Sequence, residues 1–191
     1  MKIGVFSGSF NPIHMGHLML ASYLAEYEGF DEVWMSVTPH NPVRERTTPD
    51  GDRHRCEMLK LAISSQRKIR YCDIEFSLPQ PSYTIVLLDT LREKYPGNTF
   101  VLIIGADNWI IFDRWKESRR IIEEYGVCIY PRMGYEIDTD ALPQQVSYAR
   151  APIVELSSTW IRNGIAEGHN MNTFLPEGVY DYICHNQLYR K

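Results

Sequence analysis

The stretch Lys2-Ile3-Gly4-Val5-Phe6-Ser7-Gly8-Ser9-Phe10-Asn11-Pro12-Ile13-His14-Met15-Gly16-His17 decides how the rest of the chain reads. Lys2 to Phe6 is a short apolar run that ends in Ser-Gly-Ser, the pattern of a buried strand. Ser7 to Gly16 follows as a loop containing two glycines and a proline. From about Met15 the apolar period lengthens: Leu18, Ala21, Leu24 and Ala25 recur at helical spacing as far as Glu28. A strand that feeds a helix through a glycine-bearing loop is the opening of a βα unit.

Outward from that unit the alternation continues. Strands are expected at Asp31–Val37, Ile69–Ile74, Thr99–Ile104, Gly126–Tyr130 and Pro152–Leu156. Helices are expected at Arg53–Ser64, Ser82–Tyr95, around Ser118–Glu124, Ser158–Glu167 and Pro176–His185. Thr38 to Asp52 and Pro131 to Pro143 read as loops. The fold class is therefore α/β: a Rossmann-like doubly wound parallel sheet with helices on both faces and a C-terminal helical segment from about residue 157 to 191. No internal repeat or linker divides the chain, so residues 1–191 read as a single domain. In such folds the ligand sits outside the carboxyl ends of the strands. That selects four segments: Ser7–Gly16, Thr38–Asp52, Gly105–Trp115 and Ser157–Arg162.

Composition agrees. Of 191 residues, 44% are hydrophobic and 23% charged, which excludes collagen-like, low-complexity and wholly disordered chains. Lys plus Arg is 20 against 24 Asp plus Glu, a formal charge of −4, so a sequence-independent nucleic-acid binder is not expected. No run approaches the roughly 18 apolar residues of a membrane span. The N-terminus is too short for a signal-peptide apolar region. Cys56, Cys72, Cys128 and Cys184 are far apart and form no CxxC pair, so they read as reduced, mostly buried thiols of a cytoplasmic protein.

Two of the selected segments carry recognisable chemistry. His14 and His17 lie three apart at a helix start and can face the same side. A helix N-terminus offers unpaired N–H groups and a positive dipole end, so two imidazoles beside it form an anion cradle without a Walker lysine. Two ordinary histidines near a helix cap are the plain alternative, and half of a metal site is another, although no third ligand lies nearby. At the other end, Ser157-Ser158-Thr159-Trp160-Ile161-Arg162 places hydroxyls at a helix start with a guanidinium one turn on. That is either a second anion site or an N-cap with a surface arginine.

The Gly8-Ser9-Phe10-Asn11-Pro12-x-His14-x-Gly16-His17 loop together with Ser157-Ser158-Thr159-x-x-Arg162 resembles the HxGH nucleotidyltransferases. More narrowly, the chain is similar to the bacterial nicotinate-nucleotide adenylyltransferases. Pro81-Ser82-Tyr83-Thr84, Ile104-Gly105-Ala106-Asp107-Asn108, Trp115, Leu175-Pro176, Tyr182-Ile183 and Leu188-Tyr189-Arg190 match in order over nearly the whole chain. Departures are Ser7, where the family usually has Gly, and Asn11, where it often has Asp. The segment from Pro39 to Arg46 stands where many members have a PPHK-like sequence.

The resemblance implies adenylyl transfer from ATP to nicotinate mononucleotide, with Mg²⁺ bound through the ATP phosphates and no protein metal site. It implies that His14 and His17 touch the ATP phosphates, His17 nearest the reacting phosphoryl group. Ser158, Thr159 and Arg162 would hold the β- and γ-phosphates, and Gly8, Ser9 and Phe10 would line the channel between the substrates. Asp107 would accept from ribose hydroxyls, with helix N-cap as its alternative role. Trp115 would stack on the pyridine ring, with core aromatic as its alternative. Thr84, with backbone N–H groups near Ile85 and Lys116, would receive the nicotinate carboxylate. Arg44 and Arg46 would supply positive charge in the second loop, where His40 and Asn41 are both candidates to face the substrate. Trp34, Trp109 and Trp160 read as packing. Nucleic acid and membrane are not expected partners, and a homo-oligomer is left open. The competing readings are a sister HxGH enzyme acting on nicotinamide mononucleotide or phosphopantetheine, a cytidylyltransferase, and a catalytically silent nucleotide-binding regulator.

Overall fold

The computed structural model describes residues 1–39 and 49–190, and of residues 49 and 50 the backbone alone. His40, Asn41, Arg44 and Arg46 lie outside the described residues. The chain runs β1 (Lys2–Gly8), α1 (Met15–Tyr27), β2 (Glu32–Val37), α2 (Pro49–Ile63), β3 (Ile69–Cys72), α3 (Thr84–Lys94), β4 (Thr99–Gly105), α4 (Ala106–Trp109), α5 (Ser118–Glu124), β5 (Val127–Tyr130), β6 (Val146–Tyr148), α6 (Ser158–Ala166) and α7 (Val179–His185). Every strand pair is parallel, in the order β3-β2-β1-β4-β5-β6. The order reverses between β1 and β4, so a crevice opens there at the carboxyl ends of the strands.

Both faces of the sheet are covered, as a parallel sheet requires. Successive strand residues point to opposite faces. On β1, Phe6 joins one core with Leu18, Ala21 and Leu24 of α1, Met58 and Leu59 of α2, Ile161 of α6 and Ile183 of α7. Ile3 and Val5 join the other core with Ile85, Leu88 and Leu91 of α3 and Ile121 of α5. Burying one such side chain contributes roughly 1.5–3 kcal/mol, so the two cores hold the strand ends, and hence the loops, in register. The buried Trp34 donates from Nε1 to Glu32 at 2.8 Å, which satisfies the indole as it packs.

Several boundaries differ from those expected. The sixth strand is Val146–Tyr148, not Pro152–Leu156. Ala149 N–H still reaches Ile129 O at 2.8 Å, but Pro152 has no N–H to extend a ladder, and Ile153 is half exposed. The third strand stops at Cys72, and Ile74–Ser77 turns as a 3-10 helix. The helices expected from Arg53, Ser82 and Pro176 start at Pro49, Thr84 and Val179. The four cysteines are free, and Cys56, Cys72 and Cys128 are buried. Among the described residues no helix is long and apolar enough to cross a membrane.

Candidate active site

The first loop carries its histidines directly onto α1. His14 is the N-cap, in extended backbone, and His17 is the third helical residue. Their rings stack at 3.7 Å between centroids. His14 N–H donates to His17 Nδ1 at 3.3 Å, which places the neutral ring's proton on Nε2 and makes that edge a donor. His14 is buried, and its Nδ1 has no hydrogen-bond partner, a cost unless a ligand answers it. Burial first and the Arg132 guanidinium second lower the His14 pKa to about 4. Burial, His14 and Arg132, in that order, hold His17 well below the usual imidazole range. Both rings are thus neutral at pH 7.

Gly8 and Gly16 answer to sterics. A Cβ on Gly8 would lie 2.9 Å from the Phe10 ring, and one on Gly16 would lie 3.1 Å from His14 Nδ1. Phe10 has φ of 42°, and its ring is buried edge-on against Phe6 at 5.5 Å and His17 at 5.0 Å. Its ring therefore braces the His17 imidazole, and only its backbone is left to face the crevice. Ser9 O accepts from Arg55 Nη1 at 2.7 Å, and the same nitrogen donates to Thr38 O at 3.0 Å.

The start of α6 is bolted onto this loop. Ser157 is the N-cap and accepts from Trp160 N–H at 3.1 Å. Ser158 Oγ donates to Pro12 O at 2.9 Å. Its hydroxyl proton is therefore committed to the protein, which leaves its backbone N–H as the donor for an anion. Arg162 donates from Nη1 to Asn11 O at 2.7 Å and from Nη2 to Thr159 Oγ1 at 3.2 Å. Thr159 thus keeps its own O–H for a ligand. Asn11 Oδ1 accepts from Tyr189 at 2.7 Å, so the C-terminal segment also braces the loop.

A second cluster forms where α3 begins. Thr84 and Ile85 are the first two helical residues, and the intrahelical bonds start after them, with Val86 and Leu87 donating to Tyr83 O at 2.9 and 3.2 Å. The Thr84 and Ile85 N–H groups are therefore of the kind a helix start leaves to a ligand. Ile85's side chain is core, so only its backbone can serve. Lys116 Nζ sits 4.4 Å above the Tyr83 ring, which brings the Trp115–Lys116 turn beside Thr84. Trp115 is partly exposed and packs, tilted, against Phe112 at 5.2 Å. Asp107 is not an N-cap: Gly105 holds that position in α4 and Asp107 lies in the first turn. A Cβ on Gly105 would collide with the Asp107 carboxylate. Asp107 Oδ1 is buried without a hydrogen bond, with Arg132 Nε at 3.5 Å as an ion-pair neighbour. Trp109 packs on Phe112 at 5.4 Å, and half-exposed Trp160 meets Phe174 edge-on at 4.8 Å.

Comparison with known proteins decides the lineage. The Cytidylyltransferase-like family matches residues 5–164. A Bacteroides fragilis protein named "Probable nicotinate-nucleotide adenylyltransferase" is 50% identical over 182 residues, 95% of this chain and 90% of that one. A Flavobacterium johnsoniae protein of the same name is 45% identical over 193 residues, spanning 100% of both chains. The chain belongs to the nicotinate-nucleotide adenylyltransferase family. A Plasmodium falciparum nicotinic acid mononucleotide adenylyltransferase complexed with NaAD shares the fold, with a TM-score of 0.78 at 22% identity over 98% of this chain and 97% of that chain.

Three residues of this family member escape a reading by motif. Arg132, just past β5, is the charge that both imidazoles and Asp107 feel. The strand-end rule could have found it had the loop after β5 been included. Arg55 is 2% exposed and ties the first two loops together from within α2. Glu75 is buried under the same loops. Neither has a local sequence signal, because the contacts that tie them to the first two loops span 17 to 68 positions.

Proposed function

We propose that this chain transfers the adenylyl group of ATP to the phosphate of nicotinate mononucleotide, giving nicotinate adenine dinucleotide and pyrophosphate in NAD biosynthesis. The observation that carries the proposal is the pair of stacked, neutral imidazoles at the start of α1. They are bolted through Pro12 and Asn11 to Ser158 and Arg162, at the sheet end that also holds the bare start of α3. The mononucleotide phosphate is itself the nucleophile and needs no general base. One of its oxygens bonds to the α-phosphorus as the bond to the bridging oxygen breaks, and the electron pair leaves on pyrophosphate. The protein's task is positioning and charge stabilisation.

In this reading His17 Nε2 and the unpartnered His14 edge meet the α-phosphoryl oxygens, and neutral donors bind there without repelling Arg132. Arg162, Thr159 and the Ser158 N–H take the departing phosphates, with Arg132 adding charge on the other side. Asp107 accepts from ribose hydroxyls. Trp115 stacks on the pyridine ring, and Thr84 with the Ile85 and Lys116 N–H groups takes its carboxylate. Mg²⁺ bound through the ATP phosphates would supply neutralisation of their charge. Free cysteines suit a cytoplasmic setting.

The test is the acid against the amide. Backbone N–H groups and a hydroxyl satisfy a carboxylate, whereas an amide NH₂ would face donors and leave buried groups unpaired at roughly 1–3 kcal/mol each. With ATP and Mg²⁺, kcat/KM for nicotinate mononucleotide should exceed that for nicotinamide mononucleotide by at least about 10²-fold. Equal efficiency removes the carboxylate pocket. Turnover of phosphopantetheine instead of either mononucleotide removes the proposed substrate.

A further inference from the structure

Beneath the nucleotide-facing loops lies a carboxylate that the proposed chemistry does not use. Glu75, in the 3-10 turn after β3, is 5% exposed. Among the described residues no cation pairs with its carboxylate, which takes its hydrogen bonds from hydroxyls. Ser7 and Ser36 donate to Oε2 at 3.2 and 3.0 Å, and Ser82 donates to Oε1 at 3.1 Å. Its backbone is held to the same turn: Gln80 Nε2 donates to Glu75 O at 3.4 Å, and Ser82 N–H donates to Gln80 Oε1 at 3.3 Å.

The three hydroxyls are not equivalent in what they carry. Ser7 is the last residue but one of β1 and immediately precedes Gly8 and Ser9. Ser82 lies two residues before Thr84, whose N–H starts α3. Ser36 is the last residue but one of β2 and pairs with Ser7 in the β1–β2 ladder, but unlike Ser82 it does not lead into the Thr84–Ile85 N–H groups. One buried acceptor thus joins the paired ends of β1 and β2 to the segment that leads into α3. A carboxylate suits this place because it is acceptor-only and can take several donors at once, whereas any neutral side chain of its size presents a donor or nothing.

We propose that Glu75 is a positioning residue for the mononucleotide: through Ser82 it sets where the Thr84–Ile85 N–H groups stand relative to the first loop. The proposal rests on the adenylyl-transfer reading above. It predicts a split between the two substrates, because the ATP-facing groups are held independently by Ser158, Arg162 and Tyr189. Ser82→Ala should raise KM for nicotinate mononucleotide about tenfold while KM for ATP stays within about twofold, since sub-ångström misplacement of a binding group costs on that scale. Ser82→Thr, which keeps the hydroxyl, should restore most of the loss. Glu75→Gln should shift the same KM in the same direction, because its NH₂ replaces one acceptor. Ser36→Ala removes a bond to the same carboxylate but should lower Tm without moving either KM beyond about twofold. The proposal is overturned if Ser82→Ala leaves the mononucleotide KM unchanged. It is equally overturned if Ser36→Ala shifts that KM as much, for Glu75 is then a structural tie only. Failure of the unmodified protein to use nicotinate mononucleotide would overturn the function, not the geometry, and shows before any variant is made.

Discussion

Replacing Gly16 by alanine should impair turnover without unfolding the protein. Gly16 is the second residue of α1, between the two imidazoles. Its missing Cβ would stand 3.1 Å from His14 Nδ1, 3.2 Å from His14 Cε1 and 3.5 Å from Leu156 Cβ. The first two distances are too short for comfort, and the partner is a ring that can swing by a few tenths of an ångström. Alanine in a helix interior gains up to about 1 kcal/mol over glycine, which offsets the strain. For a chain of this size that is a Tm change of about 2–4 °C at most. The functional effect does not cancel. If a misplacement of about 1 Å costs about 10²-fold, a few tenths costs roughly five- to tenfold in kcat/KM for ATP. The assay is continuous pyrophosphate release at saturating mononucleotide, alongside a thermal melt. Unchanged kcat/KM would show that the His14 ring can yield without losing the nucleotide, and a Tm loss above 10 °C would show that the added methyl disrupts packing instead. Either result refutes the reasoning.

His17→Ala should lower kcat by about 10²–10³ with a modest change in KM for ATP, the scale of one preorganised donor to developing charge; an unchanged kcat in steady-state assays would make the ring structural. Arg162→Lys should recover only part of the activity lost in Arg162→Ala, because an ammonium cannot reach Asn11 O and Thr159 together with a phosphate as the guanidinium fork does. Stability should fall as pH drops below neutral. The folded-state pKa of His14 is lowered to about 4 from 6.5, so the unfolded chain binds the extra proton across that window and stability rises with pH there. From pH 7 to 5 His14 alone removes about 2 kcal/mol, and His17 acts in the same direction. Urea midpoints should track this, with a shallower slope in His14→Gln; a flat midpoint in the unmodified protein contradicts it.

Much of the fold was legible because parallel strands buried on both faces announce themselves as apolar runs such as Val101-Leu102-Ile103-Ile104. The sixth strand was not: Ile153-Val154 is the more apolar pair, yet Pro152 blocks the ladder and Val146–Tyr148 pairs with β5 instead. The histidines, Arg162, Thr84 and Trp115 stand at strand ends or helix starts, where local sequence and position coincide. What stayed hidden depends on contacts distant in sequence. Ser158 looks like a phosphate ligand until its hydroxyl is seen on Pro12 O. Phe10 looks like a channel residue until its ring is found against His17. Arg132 looks like a loop charge until it is seen depressing both imidazoles.

The most direct test of the account follows the α-phosphorus itself. ATP labelled at that position is incubated with the protein, Mg²⁺ and nicotinate mononucleotide, and the products are separated. The label should appear in nicotinate adenine dinucleotide, with unlabelled pyrophosphate released in equal amount and neither product formed when the mononucleotide is left out. Label that remains in ATP, or that leaves with a γ-phosphate split from labelled ADP, would contradict adenylyl transfer at this site.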